Sequence, residues 1–206
     1  MSEQEQNRST VDQLDARAQA LHNQRPDRDL RELDILLWGT LHQLCWGGRE
    51  SVSERFVVDE LAINAISQAS IQSISKLASG CLLGFRLVNE GQIIRQLEQV
   101  YSPIQLAHTS ANQIDEQYWL QLHRLANEDL AHAEIAFGVS PKLARYVARA
   151  SVCQLRIMSA RIPARFALRF DSDTIERILS HSRGMKEARL LRIRLIQQAF
   201  RVRRLQ

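Results

Sequence analysis

The 206 residues are 45% hydrophobic with only 8 Gly and 4 Pro, which favours a helix-rich globular chain and excludes a disordered or collagen-like one. The net charge of +4 conceals an asymmetry: residues 1–141 carry 11 Lys and Arg against 19 Asp and Glu, whereas residues 142–206 carry 16 against 4. No 18-residue apolar run and no leader-like apolar stretch near the start occur, so a soluble, cytoplasmic protein is expected.

The cysteines Cys45, Cys81 and Cys153 are odd in number and far apart. That spacing supports neither a disulfide framework nor a zinc site of the CxxC kind, so they are expected as small core residues. No cofactor is expected in the chain itself.

In chain order, a polar segment over residues 1–28 precedes a first, acidic unit over 29–100. Trp38, Leu41, Cys45, Val52 and Phe56 form its apolar stripe, which Arg49 interrupts and Gly47-Gly48 breaks or bends. Leu83, Phe85 and Leu87 alternate with Gly84 and Arg86, a period of two that predicts a short extended segment. A connector over 101–117 leads to a second, basic unit over 118–206. There Trp119, Leu122, Ala126, Leu130, Ala133 and Phe137 recur at spacings of three and four, predicting one long helix.

Ser140 then caps a helix with Pro141 at its first position, ending near Ala150, and Ser151 caps another that stops before Pro163. With Leu143, Val147, Val152, Leu155 and Met158 inward, the two form a helix-turn-helix-like pair. Phe166, Leu168 and Phe170 alternate with Arg165, Ala167 and Arg169, a second extended segment with arginines on one side. Asp171 or Ser172 caps a helix through Leu179, and Ser182 to Gly184 punctuates before a last helix to about Arg203. That helix carries apolar residues on more than one side, as expected of one that packs against a partner.

Laying the chain on itself at an offset of 81 aligns Trp38 with Trp119, Leu41 with Leu122, His42 with His123, Phe56 with Phe137 and Phe85 with Phe166. One further inserted residue continues the match to Leu97 and Leu179. The fold class expected is all-α: two tandem units with a short extended segment in each. Because fusion raises the effective concentration of one unit for the other, the two should pair within one chain as a pseudo-dimer.

The clustered cations favour phosphate, whose counterions they displace. Lys142, Arg145 and Arg149 on one helix face, with Arg165 and Arg169 on the extended segment, are the candidate DNA contacts. Catalysis has little support, and no enzyme is expected. His42 and His123 are equivalent, which invites a symmetric metal or acid-base site, but no Cys, Asp or Glu repeats beside both at ligand spacing, so both are read as structural or surface residues. Gly47-Gly48 belongs to no phosphate loop. Trp38 and Trp119 are read as core or interface anchors rather than base-stacking platforms, and Leu41, Phe56, Leu122 and Phe137 join them as core or interface residues. Glu128 and Asp129 are placed on a solvated helix face.

The second unit also resembles the FlhD family, the helical subunit of a bacterial flagellar master activator. Tyr118, Leu120, Arg124, Leu125, Asp129, Ala131, Ala133, Gly138 and Ala144 carry the resemblance, followed by Arg169-Phe170-Asp171-Ser172, Leu179 and Ser182-Arg183. It runs nearly without gaps from Tyr118 to about Ile196. The resemblance implies intertwined dimerisation and transcriptional activation of flagellar or conjugative-transfer genes. It also implies a partner of FlhC type that holds the zinc, and a helix-turn-helix-like C-terminal region that adds Ser182, Arg183, Arg192 and Arg194 to the double-stranded DNA contacts. A usual family member has one such unit, whereas this chain carries two. The alternative is an adaptor without DNA affinity whose basic half docks on an acidic protein.

Overall fold

A computed structural model describes residues 26–78, 80–99 and 113–180. Within them lie ten helices and one small sheet of three short strands, so the body is helical but not purely so. In chain order these are α1 (Arg28–Trp46), α2 (Arg49–Ser53), β1 (Phe56–Val57), α3 (Glu60–Gln68), α4 (Ile71–Ser75), β2 (Phe85–Leu87) and α5 (Glu90–Gln99). The second half supplies α6 (Gln113–Glu128), α7 (Leu130–Phe137), α8 (Pro141–Arg149), α9 (Val152–Arg161), β3 (Phe166–Leu168) and α10 (Ser172–Ser180). Among the described residues no helix is long and apolar enough to cross a membrane.

Local chemistry sets the boundaries. Asp27 starts α1 by accepting from Leu30 N–H at 2.9 Å, Asp59 starts α3 by accepting from Ala62 N–H, and Ser70 starts α4. Ser140 caps α8 with Pro141 in the first turn, and Ser151 and Gln154 complete a reciprocal capping box on α9. Asp171 accepts from Thr174 N–H at 2.7 Å and so begins α10. Gly48, at φ +90°, separates α1 from α2, where the paired glycines predicted a break.

The structure departs from the sequence expectations at five points. The single helix predicted from Trp119 to Phe137 is split, because Asp129 leaves the helical conformation and its carboxylate caps α7 through Ala131 and His132. Asp129 is thus a cap and not merely a solvated charge. The stretch 113–117, assigned to the connector, is the first turn of α6. Phe56 lies on a strand, although its repeat counterpart Phe137 ends a helix. Val152 is 42% exposed, because it is the first residue of α9 and points away from the packed face. Cys45 and Cys81 are buried, but Cys153 is exposed one position further along the same turn.

The two extended segments meet. β2 and β3 pair antiparallel as Phe85↔Leu168, Arg86↔Ala167 and Leu87↔Phe166, while β1 adds parallel to the other edge of β3, giving the order β1-β3-β2. At an offset of 81 the β2–β3 register maps onto itself about Arg86 and Ala167. Its flanking bonds do the same: Arg169 N–H donates to Gly84 C=O at 2.9 Å, and Val88 N–H donates to Arg165 C=O at 2.8 Å. Beyond the ribbon each following helix crosses over, α5 packing on α8 and α10 packing on α3.

The core lies between the two long helices and the sheet. Trp38, Leu41, Phe56, Trp119, Leu122 and Phe137 are each at most 1% exposed. The Phe85 and Trp38 rings pack at a tilt with centroids 4.6 Å apart, and Tyr118 makes edge contacts with Trp119, Phe137 and Phe166 at 4.9–5.2 Å. Trp38 also sets the need for Gly84, since a Cβ there would stand 2.6 Å from its Cζ2. Gly84→Ala is therefore expected to lower stability by about 1–3 kcal/mol in urea unfolding. Trp38→Phe, which removes the contacting ring atoms, should make the same substitution nearly neutral; an undiminished loss in that background would exonerate the indole.

Candidate nucleic-acid interface

Helix α8 presents the clearest cationic face. Its apolar residues Leu143, Ala144 and Val147 are fully buried, which turns Lys142, Arg145 and Arg149, at intervals of three and four, outward along the opposite side. Lys142 Nζ lies 3.1 Å from Glu98 Oε1 and 5.7 Å from the Tyr146 ring centre. The Tyr146 hydroxyl, donating at 2.8 Å, and Lys142 together hold the Glu98 carboxyl below its ordinary range. Arg145 Nε donates to Pro141 C=O at 3.0 Å, and Arg149 sits in the last turn, where a cation complements the helix's negative end.

The next helix, α9, follows after Ala150 and Ser151, both extended. Arg156 and Arg161 are exposed on it, and Arg156 Nε pairs with Glu116 at 2.7 Å. Arg161 lines an open cleft together with Arg95, Gln92 and Gln96 of α5. Composition alone counted these arginines in the basic half, but only the crossing of α5 over α8 and α9 brings Arg95 from the acidic half beside them.

The remaining sequence-selected cations diverge. Arg165 is exposed, with Nη2 3.4 Å from Ser53 C=O. Arg169 is turned inward: its Nη1 donates to the carbonyls of Leu83, Ile135 and Ala136 at 3.1–3.3 Å. Burial lowers its pKa to about 10, with Asp34 opposing that fall. Those bonds commit the Arg169 guanidinium to the fold, and it leaves the set of phosphate contacts. Ser182, Arg183, Arg192 and Arg194 lie outside the described residues.

The two histidines make equivalent bonds to the backbone. His42 Nε2 meets Ala69 C=O at 3.0 Å and His123 Nε2 meets Ala150 C=O at 2.9 Å, so each ties a long helix to the link between the following two short ones. Burial lowers the pKa of His123. Among the described residues no group of three or more His, Cys, Asp or Glu is placed to hold a metal ion.

Two buried carboxylates went unnoticed in the sequence. Asp34 and Asp115 are both 0% exposed and stand 81 residues apart on α1 and α6. Each accepts from the backbone just before its own unit's strand, Gly84 N–H at 2.9 Å and Ala164 N–H at 3.3 Å. Asp115 also pairs with Arg55. The repeat register held the signal, since a charged residue conserved between two copies of an apolar stripe is seldom a surface accident.

Comparing the units at the offset of 81 shows how differently they are surfaced. Where α8 carries Lys142, Arg145 and Arg149, α3 carries Leu61, Asn64 and Gln68; where α6 carries Asn127, α1 carries Trp46. Leu61 and Trp46 are 69% and 75% exposed. One unit has a cationic row where the other has an uncharged, partly apolar one. The chain matches no protein-family model, no curated protein and no solved structure.

Proposed function

We propose that the chain is a DNA-binding subunit of a transcriptional activator of FlhD type, acting with an FlhC-like, zinc-holding partner on flagellar or conjugative-transfer genes. The observation that carries this reading is the outward row Lys142–Arg145–Arg149 on the first of two short helices joined by a two-residue link, a helix-turn-helix-like pair in the basic half. Its three positive charges suit the phosphate backbone and release counterions on contact.

The two units form an intramolecular pseudo-dimer in this proposal. Its support is the reciprocal β2–β3 register, the reciprocal crossing of α5 and α10, and a reciprocal pair of contacts at the helix starts. In that pair Glu90 accepts from Ser140 N–H at 2.8 Å and the Ser172 hydroxyl bonds Asp59. Because the cationic row is present in one unit only, the pair would grip one side of a site rather than two half-sites.

DNA titration across salt tests the proposal. The triple variant Lys142→Ala, Arg145→Ala, Arg149→Ala, all at exposed positions, is expected to bind more weakly and to reduce the slope of log affinity against log salt by up to about 3. The matched change Asn64→Ala, Gln68→Ala on α3 should leave the slope alone. Absence of DNA binding with and without an FlhC-like protein would overturn the activator reading. The alternative, an adaptor that binds protein only, is favoured by a specific feature, the exposed apolar residues Trp46, Leu61 and Ile71 of the first unit, the last 76% exposed.

A further inference from the structure

The two ends of the β2–β3 ribbon differ in what fills the space beside them. At one end the Arg169 guanidinium lies over Gly138, with its Cζ 3.1 Å from where a Cβ would stand, and donates to three carbonyls. At an offset of 81 the counterpart of Arg169 is Val88 and that of Gly138 is Val57. The place that Arg169 fills has no cationic counterpart at the other end, where Val57 and Val88 are 50% and 47% exposed. Beside Val57 a pocket of about 260 Å³ opens, walled by Val52, Phe56 and Ile63.

Two guanidinium groups line this pocket, Arg49 from α2 and Arg165 from the residue before β3. Both have weak partners within the chain. Arg49 approaches Glu60 only to 4.0 Å, with the two side chains 78% and 73% exposed, so water screens the pair. Arg165 Nη2 stands 3.4 Å from Ser53 C=O, the long limit of a hydrogen bond. An apolar floor under two loosely held guanidinium forks suits a ligand with an apolar body and a planar anionic head. The volume limits that body to roughly six to ten heavy atoms.

We propose that this pocket binds a small monocarboxylic acid with a branched-aliphatic or aromatic body, its carboxylate held between Arg49 and Arg165. Walls from the first unit and a clamp residue from the second make the ligand a tie between β1 and β3. Arg165 then serves the ligand rather than phosphate. The inference does not rest on DNA binding, and its test involves none.

Calorimetric titration of the full chain with 4-methylpentanoate and with phenylacetate, each beside its neutral amide, decides the matter. The expected result is saturable one-to-one binding of an acid at least about tenfold tighter than its amide, weakened at least about tenfold by Arg49→Gln. Ile63→Trp, which fills the pocket, should abolish it while circular dichroism reports a folded chain. The proposal is overturned if neither acid saturates the protein below about 10 mM, if the amide binds as well, or if Arg49→Gln leaves affinity unchanged. Arg49 is exposed, so that variant decides even if the filled pocket disturbs folding.

Discussion

Replacing Arg55 by Met is expected to destabilise the protein by about 3–5 kcal/mol at pH 8 and by distinctly less at pH 5. Arg55 is 13% and Asp115 1% exposed at the side chain, and they form an ion pair between the start of β1 and α6. One Asp115 oxygen takes both Arg55 and Ala164 N–H, whereas its Oδ2 and Arg55 Nε are buried without a partner. Burial pushes the Asp115 carboxyl up to about 6, against the pull of the Arg55 charge and the Ala164 amide. Burial likewise lowers the Arg55 pKa, and Asp115 resists that fall.

A carboxyl whose pKa is raised by folding binds its proton more tightly in the native chain than in the unfolded one. The stability it confers is complete below its ordinary value of 3.8 and is lost as pH rises through about 6. Above that range the native protein holds a buried carboxylate that depends on Arg55. Without the guanidinium the carboxyl pKa moves further up, so the loss grows with pH. Asp115→Asn alone strands the Arg55 charge and should also destabilise, while the double variant Arg55→Met, Asp115→Asn should recover much of the loss and remove its pH dependence. Urea unfolding of all four proteins at pH 5 and pH 8 checks this; an equal loss at both pH values for Arg55→Met would show that the charge of Asp115 is not the cause.

Much of what depends on neighbouring residues was legible in the sequence. Ser140, Ser151 and Asp171 cap helices where their short polar side chains fold back on the next turn, and the alternation around Phe85 and Phe166 is borne out by strands β2 and β3. The repeat register foretold that His42 and His123 do equivalent work. Most of what escaped depends on distant partners. β1 is a strand because β3, more than a hundred residues away, offers it a parallel edge. Asp129 is a local exception: its carboxylate caps Ala131 and His132 and so breaks a stripe whose apolar period runs on across it.

The candidate interface was half legible for the same reason. Lys142, Arg145 and Arg149 share a helix face by spacing alone, and the structure exposes all three. Counting charges could not separate them from Arg169, because a guanidinium's fate depends on whether carbonyls converge on it. Gly138 ends α7 at φ +64° and lacks a side chain, which leaves the space that Arg169 occupies.

Arg169→Met is accordingly expected to lower stability by about 3–5 kcal/mol while leaving the electrostatic part of any DNA binding unchanged. The substitution keeps most of the apolar stem but removes a donor from three carbonyls. It also withdraws a positive charge from the neighbourhood of Asp34, which is 0% exposed. Arg169→Lys should fall between the two, because one ammonium keeps the charge but not the planar fork. Two readouts separate this role from a phosphate contact. An arginine held by converging carbonyls predicts a large shift in the urea midpoint and an unaltered salt slope per folded molecule, whereas a phosphate contact predicts a small midpoint shift and a slope reduced by about 1. The Lys142, Arg145 and Arg149 variants should show the second pattern, each at an exposed position on a helix whose packing lies on its other face. If Arg169→Met instead left stability intact and weakened DNA binding, the guanidinium would have to leave its carbonyls in solution.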